Sequence, residues 1–253
     1  MLTLIASLVL GPQTWLPRAH SHNDYEQSRP LSLALESGLG SIEADIFLID
    51  GELRVAHDRK DTQPGRTLQT LYLDPLQARA KANRGWIYGR GQSLTLLVDI
   101  KEDGEAVYRQ LRKDLLPYRS LLTEFNNGKV KERAVTVILS GDRPIETLKG
   151  EAQRYAFIDG RLDDLGKGIP ASLIPLISDS YVDKFFRLKS LDEIRPKVRA
   201  FAEACHKEGK RLRFWATPDT DKVREMLWDE SVDLLGTDHP AEMSAWMRAR
   251  PKG

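Results

Sequence analysis

Along the chain, short runs of apolar residues alternate with segments in which apolar positions recur every three or four residues. The runs read as strands and the periodic segments as amphipathic helices. Strands are expected at Leu16–His20, Ser41–Leu48, Leu94–Lys101, Ala134–Leu139, Ala156–Ile158, Leu173–Ile177, Leu212–Ala216 and Val232–Leu235. Helices are expected at Pro30–Ser37, Thr67–Lys81, Glu105–Leu116, Ile145–Gly150, Leu191–Lys207, Asp221–Asp229 and Pro240–Arg248. Gly38 and Gly209 stop two of them. Asp50-Gly51 marks a tight turn, after which Glu52–Ala56 returns as an extra strand. Such alternation makes a parallel sheet covered by helices. Dividing 253 residues among eight units leaves about 32 for each βα pair, so the fold class is α/β and the architecture a single (β/α)8 TIM barrel. An open doubly wound sheet is the rival, but no G-x-G-x-x-G follows the first strand.

Composition narrows the function classes. Thirty-eight basic and 37 acidic side chains leave a formal charge of +1, so no global field favours nucleic acid. The single cysteine, Cys205, rules out an intrachain disulfide and, on an apolar helix face, reads as a buried inert thiol. Residues 1–15 contain the apolar run Leu2–Leu10, which is too short to span a membrane. It reads either as an export signal, so that the protein is expected in the periplasm or outside the cell, or as an apolar segment packed on the domain of residues 16–253. No other segment is apolar enough to cross a membrane.

The chemistry lies in polar residues where a barrel would otherwise be apolar. Catalytic groups of such barrels sit at the C-terminal strand ends. The first strand ends at His20, followed by Ser21-His22-Asn23-Asp24. Glu43 and Asp45 are two apart on the second strand and therefore share a face. Two like charges pointing into a barrel are costly without a cation. The extra strand ends at His57-Asp58, and the third barrel strand at Asp99-Ile100-Lys101. Trp215 ends the seventh, and Asp238 follows the eighth. Taken singly, each has a plainer explanation: Asp99 and Lys101 a structural ion pair, Asp238 a helix cap before Pro240, His57 a loop histidine. Their recurrence at successive strand ends favours a site.

The segments Ala19-His20-Ser21-His22-Asn23-Asp24-Tyr25, Ser41-Ile42-Glu43-Ala44-Asp45, Gly51-Glu52-Leu53-Arg54-Val55-Ala56-His57-Asp58 and Leu235-Gly236-Thr237-Asp238-His239-Pro240 resemble the PLC-like phosphodiesterase superfamily, in its glycerophosphodiester phosphodiesterase-like branch. The resemblance implies His20 and His57 as an acid/base pair, and Glu43, Asp45 and Asp99 as ligands of Mg²⁺ or Ca²⁺. It also implies Lys101 on the phosphate, Trp215 lining the pocket with Asp238 in support, and Arg161 as a further contact for the substrate anion. The substrate would be a small-molecule or lipid phosphodiester, cleaved by water or by a neighbouring hydroxyl of its own. Departures accompany the likeness. The Arg-Gly expected after the first histidine is replaced by Ser21-His22, and the usual Glu-x-Lys by Asp99-x-Lys101. His22 has no role in the motif so read. A phosphate-ligand-binding barrel without catalysis is the alternative from another class. An amidohydrolase is a weaker one, because no histidine occurs between His57 and His206.

Overall fold

The computed structural model describes residues 14–250; the Leu2–Leu10 run lies outside them. Eight parallel strands form the barrel: β1 Leu16–Ser21, β2 Leu39–Ile49, β3 Leu94–Ile100, β4 Val135–Gly141, β5 Ala156–Gly160, β6 Leu176–Ser180, β7 Arg211–Trp215 and β8 Leu235–Thr237. Each pairs with its sequence neighbour, and β8 pairs with β1 through Ala19–Leu235, His20–Gly236 and Ser21–Thr237. Between β7 and β8 the barrel closes by one parallel bridge, Arg213 to Leu234, with the Leu234 N–H donating to the Leu212 carbonyl at 3.1 Å. Arg18 clamps the same region, donating to the carbonyls of Val232 and Trp228 and stacking on the Trp228 ring. The helices are α1 Ser32–Ser37, α2 Asp74–Ala82, α3 Gly104–Leu115, α4 Ile145–Gly150, α5 Tyr181–Phe185, α6 Leu191–Lys207, α7 Asp221–Asp229 and α8 Pro240–Arg248. Among the described residues no helix is long and apolar enough to cross a membrane.

Strand alternation sorts the side chains into two environments. Leu96, Val98, Val137, Leu139 and Ile158 face the helices in the larger core, while Leu97, Ile138, Phe157, Leu176 and Leu234 form a second cluster inside the barrel. Burying a side chain such as Phe157 contributes roughly 2–3 kcal/mol. The same inward parity then puts Glu43, Asp45, Asp99, Ser140, Asp159 and Arg213 on strand positions near the mouth. An apolar plug thus carries a polar layer.

Three local departures have identifiable causes. β6 starts at Leu176 rather than Leu173, because Pro175 has no N–H to give a ladder; Leu173 and Ile174 instead form a turn closed by N–H donation to the Pro170 carbonyl. The second expected helix divides into a π-helical turn, Gln69–Leu73, and α2, with Pro75 in the first turn of α2. Finally, a small antiparallel sheet of Glu124–Asn126, Lys129–Lys131 and Gln153–Arg154 lies outside the barrel. Its hairpin turns on Asn127-Gly128, both with positive φ, a dipeptide that favours this turn.

Candidate functional site

The loop after β1 is built by Asp24. This fully buried carboxylate accepts from the Ser21 hydroxyl at 2.9 Å, from the Leu31 N–H at 2.6 Å and from the Tyr72 hydroxyl at 3.1 Å. It ties the His-Ser-His-Asn-Asp-Tyr segment to Leu31 ahead of α1 and to Tyr72 of the π-helical turn.

His20 points into the barrel and is fully buried. Its Nε2 lies 3.0 Å from Glu43 Oε2 and its Nδ1 2.8 Å from Ser41 Oγ. A carboxylate only accepts, so Nε2–H donates to Glu43 and Nδ1 accepts from Ser41. Burial, reinforced by the Arg213 guanidinium, lowers the His20 pKa to about 4, so the ring is neutral. Glu43 Oε2 also accepts from Arg213 Nη2 at 2.8 Å, both residues being buried. Burial alone would raise the Glu43 carboxyl; Arg213 and the His20 bond outweigh it and hold the group below the usual carboxylate range.

One step along the same face, Asp45 Oδ2 accepts from Lys101 Nζ at 2.6 Å and from the Tyr25 hydroxyl at 2.7 Å. It lies 3.3 Å from His57 Nδ1, which is itself 3.2 Å from the Tyr25 hydroxyl. Lys101 also reaches Asp99 Oδ2 at 2.8 Å, because Asp45 and Asp99 are register partners on β2 and β3. Burial and the nearby Glu43 charge raise the Asp45 pKa, with Lys101 partly opposing them. The outer part of the His57 ring is open to solvent, its side chain 55% exposed.

Gly141, ending β4 beside this cluster, has φ +70, and a Cβ there would meet the Ile100 carbonyl oxygen at 2.2 Å and Asp99 Oδ1 at 2.8 Å. Only glycine lets the chain pass so close to Asp99.

On the far side of β1, His22 Nδ1 lies 2.8 Å from Asp238 Oδ1, and both side chains are open to solvent. Asp238 caps no helix: the residue before α8 is His239, which makes no side-chain cap bond. His22 and Asp238 line a cavity of about 250 Å³ together with Trp215, Thr217, Thr237 and Arg213. Trp215 stands on its rim, 39% exposed.

The nine expected site residues divide accordingly. His20 and Glu43 meet at the floor. Asp45, Asp99, Lys101 and His57 form a second group. Trp215 and Asp238 share the cavity. Arg161 stays apart, its Nη1 taken up by the Asp159 carboxylate at 3.2 Å and the Gly160 carbonyl at 2.9 Å. Arg213 and His22 are contributors to which the sequence reading gave no role, and it did not foresee the bond from Tyr25 to Asp45 or the pairing of His22 with Asp238. Arg213 had the same mark as Glu43 and Asp45, since Arg211 and Arg213 alternate on a strand and therefore share an inward face.

Among the described residues no three His, Cys, Asp or Glu side chains surround one metal position. Glu43 is turned to Arg213 and His20, while Asp45 and Asp99 share Lys101. Yet Asp45 Oδ1 is buried with no hydrogen-bond partner, an orphan that a cation would satisfy. Asp45 and Asp99 are hard oxygen donors, suited to Mg²⁺ or Ca²⁺ rather than zinc. The residues that fit a cation are therefore this pair.

Comparison with known proteins bears on the fold and the family. The barrel is similar to a glycerophosphodiester phosphodiesterase of Parabacteroides distasonis, with TM-score 0.54, 17% identity and coverage of 92% of this chain and 98% of that one. It is also similar to one of Agrobacterium tumefaciens, with TM-score 0.52, 18% identity and coverage of 93% and 100%. At these identities the likeness concerns the fold. In sequence, the chain is 32% identical to the Altered inheritance of mitochondria protein 6 homolog of Arthroderma benhamiae, over 87% of this chain and 80% of that protein. It is 30% identical to Altered inheritance of mitochondria protein 6 of Eremothecium gossypii, over 88% of this chain and 66% of that protein. The family model of the AIM6-like phosphodiesterase domain matches residues 14–159, which include β1 to β4, the return strand and, of the polar groups described, His20, His22, Glu43, Asp45, His57, Asp99, Lys101 and Asp159; the chain belongs to the AIM6-like phosphodiesterase family.

Proposed function

We propose that the protein cleaves a small-molecule or lipid phosphodiester at the C-terminal mouth of its barrel by histidine proton transfer. The observation that carries this reading is the Asp45–Lys101–Asp99 cluster with His57 poised over it, beside a second histidine-bearing segment, His20-Ser21-His22, on the neighbouring strand.

A phosphodiester monoanion repels nucleophiles and has a poor alkoxide leaving group. Lys101 would offer its ammonium to a non-bridging oxygen while remaining tied to Asp45 and Asp99. A divalent cation held by Asp45 and Asp99 would neutralise phosphoryl charge and align the reacting groups. Asp45 and Tyr25 fix the His57 ring, leaving Nε2 free to take or give a proton. The partner histidine comes from the end of β1; the family resemblance assigns this to His20. An oxygen nucleophile, from water or from the substrate itself, would complete the reaction. The family membership and barrel fold support the reaction class, and the donor chemistry supports the cation.

The test is hydrolysis of bis(p-nitrophenyl) phosphate with EDTA and with Mg²⁺, Ca²⁺ or Mn²⁺ restored, alongside His57→Gln and Asp45→Asn. Metal-restored turnover that each substitution lowers by about 10²- to 10⁴-fold is expected. Turnover in both variants equal to that of wild type would refute the placement of the site. A panel of glycerophosphodiesters and phospholipids left untouched by the wild type would favour a ligand-binding barrel.

A further inference from the structure

His20 cannot meet a substrate in this arrangement: it is fully buried, and Ser41 and Glu43 occupy both ring nitrogens. Neither a lone pair nor a proton of the ring faces the cleft. Two residues on, the situation is reversed. His22 Nδ1 faces the Asp238 carboxylate at 2.8 Å, which fixes Nδ1–H as the donor and leaves Nε2 unengaged. The ring lines the cavity with Trp215 at its rim and Arg213 in its wall.

The dyad is held in place from both sides. The His22 N–H donates to the Thr237 carbonyl at 3.0 Å, and Gln27 Nε2 donates to the Asp238 carbonyl at 2.7 Å. β1 lies between β8 and β2, so His22–Asp238 and His57–Asp45 stand on opposite sides of the first strand. With strands ~4.8 Å apart, groups above β8 and β2 are separated by about 10 Å, enough for a phosphoryl group between them.

Resting on the phosphodiesterase reading above, we propose that His22, oriented by Asp238, is the proton donor to the leaving alcohol, that the cavity beside Trp215 receives this alcohol, and that His20 is a positioning residue beneath it. The nucleophile's oxygen forms a bond to phosphorus and gives its proton to His57. The phosphorus–oxygen bond to the alcohol in the cavity breaks, its electron pair stays on that oxygen, and the oxygen takes the proton from His22 Nε2. His22 enters this step protonated at both ring nitrogens and leaves it neutral, while His57 enters neutral and gains a proton; exchange with solvent restores both before the next turnover. His20 keeps Glu43 in register with Arg213, whose guanidinium walls the cavity.

The leaving group separates these roles. An alkoxide needs a proton as it departs, whereas p-nitrophenolate does not. The experiment measures kcat for bis(p-nitrophenyl) phosphate and for glycerophosphodiesters with alkyl leaving groups, in wild type, His22→Gln, Asp238→Asn, His57→Gln and His20→Gln, with folding checked by circular dichroism. His22→Gln is expected to lose about 10²- to 10⁴-fold on the alkyl diesters and less than about tenfold on the nitrophenyl ester. Asp238→Asn should show the same selectivity in weaker form, and Asp238→Glu should restore part of it. His57→Gln should lose both activities alike, and His20→Gln should show no leaving-group selectivity. Equal losses on both substrates in His22→Gln, or none, would overturn the assignment while the wild-type activity still upheld the phosphodiesterase reading. A wild type inert on every diester would overturn that reading and the assignment with it.

Discussion

Replacing Arg213 with methionine removes the guanidinium from Glu43 while keeping an unbranched chain in its space. The contact is short, at 2.8 Å, and both side chains are at least nine-tenths buried. His20, neutral, is then the main neighbour left to the carboxylate. Breaking a buried pair on one side costs about 3–5 kcal/mol, because the remaining charge is left without compensation. For a domain of this size each kcal/mol shifts the melting temperature by about 2–4 °C, so Arg213→Met is expected to melt roughly 6–20 °C lower. Adding Glu43→Gln removes the stranded charge, and the double variant should regain at least half of the loss. The sign with pH follows. In Arg213→Met the folded Glu43 pKa rises above its unfolded value, so the deficit relative to wild type is full at pH 7 and shrinks as pH falls toward 5. Urea and thermal denaturation of wild type, Arg213→Met and the double variant in EDTA-containing buffer, at pH 7 and pH 5, measure all of these. A single-variant loss below about 1 kcal/mol, or a double variant no more stable than the single one, would refute the reasoning.

His20, held near pH 4 against an ordinary 6.5, binds fewer protons folded than unfolded between those values. It therefore removes stability as pH falls through that window, by about 3 kcal/mol over the full span at 1.36 kcal/mol per unit. His20→Gln should lose about 2 kcal/mol less than wild type between pH 7 and pH 5 in urea titrations; an unchanged slope would contradict the neutral buried ring. Mg²⁺ or Ca²⁺ at a hundred times its dissociation constant should stabilise the fold by about 2.7 kcal/mol, read as a melting shift absent from Asp45→Asn. If the shift persists in that variant, the ion binds elsewhere. Cys205 is buried and its thiol is pushed up to about 12, chiefly by burial; it should react with a thiol reagent such as DTNB only as fast as the protein unfolds. Rapid labelling of the native protein would contradict this.

The barrel was legible because its strands are apolar runs separated by helices of clear period, and because each inward polar residue interrupts such a run. The extents of β6 and β8 were less so: Pro175 displaces the first, and the second is defined by its partner β1 more than by its own residues. The Asn127-Gly128 hairpin lay open to reading, but its flanking strands, Glu-Phe-Asn and Lys-Val-Lys, are too short and polar to stand out. In the site, spacing identified which carboxylates share a face but not what meets them. That Glu43 meets Arg213, 170 positions away, depends on the circular closure of the sheet. The two histidines of His-Ser-His share an inward parity, yet the strand ends between them: His20 is sealed in the sheet, while His22 emerges to meet Asp238. Sequence spacing carries no mark of that boundary.

The pairing of β1 with β8 has a consequence for how the protein matures. Arg18 reaches the carbonyl of Val232, 214 positions further on, and the polar mouth is completed by Thr237 at the end of the last strand and Asp238 just after it. During synthesis the first strand waits with one edge unpaired until nearly the whole chain has been made, the kind of long-range closure that slows folding and exposes an edge to misassociation. His22 has no carboxylate partner until that closure. Formation of the dyad therefore coincides with the final ring-closing step, and a chain cut short before Leu235 would have the first seven strands yet lack the second half of its own site.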